Sequence, residues 1–275
     1  MSKIYGKDNY IAERLAFYTK EIRMEQQIAQ KTSAGTYWEC FSSGDRKRTL
    51  TSMFIYMAGN WSGAPFLANG IYFLIIAGMA ADAAFKIGMV GFYISIVIIM
   101  LSWFVESKFR RRDAFLAGCG ICTIVMLVIG CLYYAPGKSS LWAVAVLMNV
   151  LIGFQSSLLQ GMGIPIAIEL SSYRLRAKTL AIGYFSQVVS SWLVGFVVPY
   201  MFNVDSGNLG ARTGLIFAGL NAILLVVSFF VVPETGGLTT EEVDKAYLEK
   251  VPPRRFQNIP RNAEVATNVQ VYEAD

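Results

Sequence analysis

Six long apolar stretches dominate the middle of this 275-residue chain, and each can cross a lipid bilayer, which takes about 20 apolar residues. They lie at about 50–78, 85–105, 114–134, 141–168, 179–201 and 214–232. Short connections predict that consecutive helices run antiparallel. No segment shows the alternating pattern of a membrane barrel. The sequence therefore predicts an all-α integral membrane protein with a six-helix bundle over 50–232.

Composition excludes the common alternatives to a membrane bundle. The chain is 55% hydrophobic and 16% charged, against about 25% charged in soluble domains, which argues against a soluble enzyme and against a disordered chain. It has no histidine, so it offers neither a histidine general base nor a histidine-ligated metal. Cys119 and Cys122 form a C-x-x-C inside an apolar span, which we interpret as helix packing. We expect no enzymatic activity, metal or cofactor.

Lysine and arginine in the short loops are distributed unevenly between the two sides. One side holds ten of them: Arg46, Lys47, Arg48, Lys108, Arg110, Arg111, Arg112, Arg174, Arg176 and Lys178. The other side holds three: Lys86, Lys138 and Arg212. The positive-inside rule then predicts cytoplasmic termini and an even number of spans. Because the basic residues form no single patch, membrane orientation explains them better than nucleic-acid binding.

The flanking segments are polar. Residues 1–49 are predicted to form a cytoplasmic helical segment, in which 9–31 is an amphipathic helix with charges of both signs. Mixed charges favour a helix lying on the membrane surface over a calmodulin target. Residues 233–275 are predicted to be a cytoplasmic tail.

Polar groups inside the spans are neutral, and no Asp, Glu, Lys or Arg lies in the middle of any span. Carboxylates within a membrane usually mark ion or proton pathways, so this chain shows no proton-coupling carboxylate of its own. Neutral amides facing a cavity suit a neutral polyhydroxylated ligand, and interhelical hydrogen bonding is the alternative. The candidate substrate-binding residues are Asn60, Asn69, Gln155, Gln160 and Gln187.

Glycine and proline interrupt the first and fourth spans. The first carries Gly59-x-x-x-Gly63 followed by Pro65, and the fourth carries Gly161-Met-Gly163-Ile-Pro165. Interrupted helices at corresponding positions of two halves indicate a transporter binding site. The six spans are accordingly predicted to form a 3+3 inverted repeat.

Short motifs at the span ends carry a family resemblance. They are Glu169 with Arg174-Leu-Arg176-Ala-Lys178-Thr, Pro199-Tyr200-Met201-Phe-Asn203, Gly210-Ala-Arg212-Thr-Gly214, Pro233-Glu234-Thr235-Gly-Gly237-Leu and Tyr37-Trp-Glu-Cys40-Phe41. Together they resemble motifs of the major facilitator superfamily, and within it the fungal sugar porters of the maltose and α-glucoside permease kind. The resemblance covers about residues 10–250.

Such porters have two six-span bundles with the substrate between them, and this chain resembles the second bundle only. The resemblance implies a plasma-membrane transporter that moves a neutral sugar, such as an α-glucoside or hexose, by alternating access. It implies membrane lipid, a small-molecule substrate, and either a six-span first half or a second copy of the chain as partners. The family's Gln-Gln sugar pair falls at Gly59-Asn60.

The resemblance also implies a cytoplasmic ion-pair gate. Glu169 and Glu234 would pair with Arg111, Arg112 and Arg176 when the protein is closed inside, and Arg174 belongs to the same motif. Topology-setting charge at helix ends is the alternative, but it explains only the arginines. Two other functions stay open: a truncated, non-transporting or regulatory membrane protein, and a transporter of a non-sugar metabolite.

Overall fold

A computed structural model describes residues 19, 36–42, 44–108, 110–132, 134–135, 137–172, 174–203, 205, 207–236, 238, 240–248, 252 and 256. The predicted amphipathic helix at 9–31, except residue 19, and the tail beyond 256 lie outside these residues. Every regular element in the described part of the chain is helical. The predicted all-helical architecture is confirmed.

The helices are numbered here in chain order. A 3₁₀ turn at Tyr37–Phe41 precedes them. They are α1 Arg46–Trp61, α2 Ala64–Ala68, α3 Gly70–Ile76, α4 Ala81–Lys108, α5 Arg111–Leu132, α6 Lys138–Phe154, α7 Met162–Leu170, α8 Arg176–Phe202, α9 Thr213–Val231 and α10 Thr240–Leu248. A π-helical turn at Gln155–Gly161 joins α6 to α7, and a 3₁₀ turn at Gly210–Arg212 precedes α9.

Five helical stretches are long and apolar enough to cross a membrane. They are Ala81–Phe104, Arg111–Leu132, Ser139–Leu170, Arg176–Met201 and Thr213–Val231. These stretches overlap five of the six predicted spans. The count of six and the inverted repeat stay predictions.

The first predicted span, 50–78, is divided into α1, α2 and α3. Gly63 has a φ of 105°, which an L side chain rarely adopts, and a Cβ there would lie 2.5 Å from Met126. Pro65 follows in the first turn of α2. Proline is tolerated there because backbone N–H groups of the first turn have no partner within the helix. The Gly-Ala-Pro sequence therefore ends α1 and starts a new helix.

The fourth span, in contrast, stays continuous through its glycines and Pro165. Pro165 has no N–H to donate to a carbonyl one turn earlier, and its ring clashes there in a regular helix. The π-helical turn at Gln155–Gly161 lies just before it and widens the helix locally. The interruption predicted from the glycines and Pro165 is thus a bulge rather than a break.

Small residues bring neighbouring helices into close contact, as is usual in membrane bundles. A Cβ on Gly214 of α9 would lie 3.0 Å from the backbone nitrogen of Gly130 in α5, so these two backbones touch. A Cβ on Gly183 of α8 would lie 2.4 Å from the ring of Tyr56 in α1. These contacts bring α8 against α1 and α9 against α5.

Candidate functional site

A cluster of amide side chains surrounds the point where α1 ends. Gln155 is buried, and its Nε2 donates to the carbonyl of Gly59 at 2.9 Å and to the Oγ of Ser62. The hydroxyl of Ser62 donates to the same Gly59 carbonyl at 2.7 Å. The last carbonyls of a helix have no intrahelical partner, so these side chains satisfy groups that the break leaves free.

Two asparagines extend this amide cluster to neighbouring helices. The Nδ2 of Asn60 donates to the backbone carbonyl of Gln187 in α8 at 2.8 Å. The Nδ2 of Asn221 in α9 donates to the carbonyl of Ser62 at 3.0 Å and to that of Phe217 at 2.9 Å. Asn221 was not among the predicted site residues, although an isolated asparagine inside an apolar span is a signal that could have identified it.

Four of the five predicted substrate-binding residues contribute to this region. Asn60 and Gln155 donate hydrogen bonds in this region, and Gln187 supplies a backbone carbonyl that accepts one. Half-buried Gln160 packs on Gly59: a Cβ added to Gly59 would lie 3.4 Å from the Nε2 of Gln160. Asn69 lies at the junction of α2 and α3, outside the amide cluster. Its Nδ2 donates to the carbonyl of Pro65 at 2.8 Å. The role of these residues in binding stays a prediction.

An aromatic pair lies beside the amide cluster and was not predicted. The rings of Tyr56 in α1 and Tyr184 in α8 are 4.7 Å apart between centroids. Tyr56 is one turn before Asn60, and Tyr184 is one turn before Gln187, so the pair continues the same seam between the two helices. Tyr184 is about half exposed and presents an apolar ring with a polar hydroxyl.

Ion pairs gather at the end of the bundle where α1 and α5 begin and α7 ends. Arg111 pairs with Glu169, and both side chains are about one-third exposed. Arg111 is the first residue of α5 and Glu169 lies in the last turn of α7. The first turn of a helix disfavours a positive charge and the last turn disfavours a negative one. The ion pair between Arg111 and Glu169 therefore offsets two charges that are unfavourable at their own helix ends.

Glu234 caps the start of α5, and no arginine in the described part of the chain forms an ion pair with it. Its Oε2 accepts the backbone N–H of Arg112 at 3.3 Å, and its Oε1 accepts the N–H of Gly236 at 3.0 Å. The buried guanidinium of Arg112 instead donates to the carbonyl of Phe229 at 2.7 Å and lies 5.4 Å from that ring. Arg112 thereby ties the start of α5 to the end of α9.

Arg174 makes its ion pair outside the motif, with Glu39 in the first 3₁₀ turn at 2.6 Å. A hydrogen bond from the backbone N–H of Thr36, at 3.0 Å, lowers the pKa of Glu39, and the charges of Arg174 and Lys178 lower it further. Arg176 is half-buried at the start of α8. The segment before α1 is thus attached to the loop before α8.

A further ion pair attaches α10 to this end. Buried Arg48 pairs with Asp244, and its guanidinium lies 4.6 Å from the ring of Tyr247. Burial raises the pKa of Tyr247. Leu170 of α7 packs in one buried apolar cluster with Val243 and Ala246 of α10 and with Phe256, which lies beyond α10 in the chain.

Five helices long and apolar enough to cross a membrane, packed around a buried amide cluster, indicate a multi-pass integral membrane protein. The model of the sugar (and other) transporter family matches residues 6–247. The chain belongs to this family.

Three curated relatives agree with this assignment. The chain is 38% identical over 235 residues to the MFS transporter fmqE of Aspergillus fumigatus, a match covering 86% of this chain and 44% of that protein. It is 27% identical over 251 residues to the general alpha-glucoside permease of Saccharomyces cerevisiae, covering 91% and 41%. It is 26% identical over 238 residues to maltose permease MAL31 of the same yeast, covering 86% and 38%. The resemblance to fungal sugar porters is confirmed.

The chain spans less than half the length of each of these relatives. All three are named as transporters or permeases, so the family is one of membrane transport rather than of enzymes.

Proposed function

We propose that this chain is the second half of a plasma-membrane carrier that moves a neutral sugar, such as an α-glucoside or hexose, by alternating access. The amide cluster at the end of α1 carries this proposal. It gathers neutral hydrogen-bonding groups from α1, α8, α9 and the π-helical turn inside an apolar bundle. A neutral polyhydroxylated solute is recognised by groups of this kind, and membership of the sugar transporter family supports the assignment.

The divided segment α1–α3 serves as the first of six spans in this proposal. Gly63 interrupts the hydrogen-bond ladder between α1 and α2, so α2 and α3 can tilt without unwinding a continuous helix. The π-helical turn occupies the corresponding position in the fourth span, in agreement with a 3+3 repeat.

The ion pairs at one end act as the cytoplasmic gate. Arg111 with Glu169, Glu234 on the amide of Arg112, and Arg174 with Glu39 hold α5, α7, α9 and the segment before α1 together. Arg176 belongs to the same set by its place in the motif. These contacts form when the carrier is closed inside and break when it opens.

Uptake of radiolabelled maltose tests the proposal. The chain is expressed, alone and together with the first six-span half of a yeast maltose permease, in cells that lack hexose and α-glucoside uptake. Saturable uptake above that of the empty strain is the expected result in at least one arrangement. Membrane-inserted chain that gives no uptake in either arrangement would contradict the proposal and favour a non-transporting protein.

Gln187→Ala separates substrate contact from structural support. The substitution keeps the backbone carbonyl that Asn60 uses, so the contact between α1 and α8 is preserved. Loss of one hydrogen bond to the sugar, about 0.5–1.5 kcal/mol, raises the half-saturating concentration by about 2- to 13-fold. Ser191→Ala, on the exposed side of α8, is the matched control and leaves uptake unchanged. Equal uptake by both variants would remove Gln187 from the site.

The number of spans is tested by tagging both ends of the chain. Six spans place the amino and carboxyl tags on the same, cytoplasmic side, where antibodies reach them only in permeabilised cells. Five spans place them on opposite sides, which would contradict the sixth span.

A further inference from the structure

A cavity of about 300 Å³ lies between α2–α3, α4 and α6. Its wall is mainly apolar and includes Leu67, Ile71, Phe92 and Met148. Gly88 leaves space in this wall, since a Cβ at this position would lie 2.9 Å from the Cδ1 of Ile71. Of the five residues predicted to bind substrate, only Gln155 lines it. The cavity therefore lies beside the amide cluster and shares Gln155 with it, but the rest of its wall is built from different residues.

The polar part of the wall offers mainly acceptors: among the hydrogen bonds of the described residues, Asn149 keeps one free amide N–H and Gln155 keeps none. Ser95 donates to the carbonyl of Asn149 at 3.2 Å, and Asn149 donates its own amide to the carbonyl of Ala145 at 2.8 Å. The Nε2 of Gln155 is committed to Gly59 and Ser62. No described residue donates to the Oε1 of Gln155 or to the Oδ1 of Asn149.

This lining is a poor match for a sugar. A pyranose carries several hydroxyl groups, and each buried hydroxyl that finds no partner weakens binding. Two amide oxygens, one amide N–H and one serine hydroxyl cannot satisfy all of them, whereas the apolar wall suits a ring or a short hydrocarbon. A single hydroxyl on such a molecule would find an acceptor in Gln155 or Asn149.

We propose that this cavity binds a compact, mainly apolar molecule that donates one or two hydrogen bonds, at a site separate from the sugar cluster. Close-packed interiors rarely leave voids much larger than a water molecule, and an engineered apolar cavity of about 150 Å³ already binds benzene. The present cavity is about twice that size and lies at the lower end of small-molecule pockets, about 300–1,000 Å³. Binding here does not depend on the proposed transport activity.

Photolabelling of the full chain in lipid nanodiscs tests the site. The probe is 4-(trifluoromethyl-diazirinyl)benzyl alcohol, which is compact, apolar and carries one hydroxyl. We expect saturable labelling at 64–74, 88–95 and 148–155, mapped by mass spectrometry. An excess of 1-naphthol blocks it, and maltose does not.

A pair of alanine substitutions supplies the control. Ala68 lines the cavity, so Ala68→Leu fills part of it and raises the half-saturating probe concentration by about tenfold. Ala222 is exposed on α9 away from the cavity, and Ala222→Leu leaves labelling unchanged. Unsaturable labelling spread over the exposed faces of α8 and α9 would identify simple lipid partition and overturn the proposal. Competition by maltose would overturn it as well, because the cavity would then belong to the sugar site.

Discussion

Two glycines of α5, two residues apart, test the close packing between this helix and the π-helical turn. A Cβ on Gly118 would lie 2.8 Å from the Cβ of Leu158 and 2.5 Å from the Cδ1 of Leu159. A Cβ on Gly120 would have no neighbour within 4 Å. Gly118→Ala and Gly120→Ala therefore make the same chemical change, but only Gly118→Ala adds atoms where there is no room.

The expected difference follows from these distances. Carbon atoms in favourable contact are about 3.5–4.0 Å apart, so the contact with Leu158 would be too short by about 0.7–1.2 Å. A Cβ is fixed to its backbone, so α5 and the turn must move apart, and overpacking of this kind costs about 1–3 kcal/mol. Replacing a helical glycine by alanine stabilises the helix by about 1 kcal/mol in both variants. The variants should thus differ in free energy of unfolding by about 1–3 kcal/mol.

Unfolding in increasing mole fraction of dodecyl sulfate, followed by circular dichroism, measures this difference. We expect Gly120→Ala to be at least as stable as the wild type and Gly118→Ala to be less stable than Gly120→Ala. Equal stabilities within about 0.5 kcal/mol would refute the close approach of α5 to the π-helical turn, since that value is the usual error of additivity.

Three further predictions concern other contacts. The pKa of Glu39 lies below its ordinary value of 4.5, so its carboxylate stabilises the fold above that pH, and this stabilisation is lost as the pH falls through the lowered pKa. Glu39→Gln should therefore have a lower thermal unfolding temperature than the wild type at pH 7 and the same unfolding temperature at pH 2. Asp244→Asn removes the closer of the two carboxylates that pair with Arg48, and trypsin cleavage within α10 should become about fivefold faster, the factor for about 1 kcal/mol. Asn221→Ala leaves the carbonyl of Ser62 without its donor and should lower the free energy of unfolding by about 1–3 kcal/mol in the dodecyl sulfate assay.

The apolar spans were predictable because their length and composition alone distinguish them from loops. The start of α1 was not, because Arg48 and Thr49 are polar and yet buried. Thr49 donates to the carbonyl of Cys40, and Arg48 pairs with Asp244, so partners distant in sequence extend the helix to Arg46. Composition shows the polar residues but not the partners that bury them.

The two interruptions were predicted from the same residue types and have different structures. Gly63 needs a positive φ, which breaks the helix, whereas Gly161 and Gly163 both remain in helical conformation around the bulge before Pro165. Glycine permits both outcomes, and the neighbouring helices select between them. A Cβ on Gly163 would lie 2.9 Å from Ile55 in α1, so this glycine serves close packing instead of a turn.

The residue types at the candidate site were predictable, but the direction of their hydrogen bonds was not. Gln155 and Asn221 donate their amide N–H to backbone carbonyls at the end of α1, which the break leaves free, whereas Asn60 donates from the end of α1 to the carbonyl of Gln187 in α8. Their donors are therefore committed to supporting the divided span. The Oδ1 of Asn221 is buried and accepts no hydrogen bond from any described residue. In the proposed carrier, amide oxygens of this cluster that are not fully buried are the groups available to a ligand, and sugar hydroxyls, as donors, complement them. The amide nitrogens of these side chains thus support the fold, and the amide oxygens of the same side chains are left for a ligand. Replacing an asparagine of the cluster by aspartate keeps the acceptors and removes the donors, so it should lower the free energy of unfolding more than it lowers the affinity for the sugar.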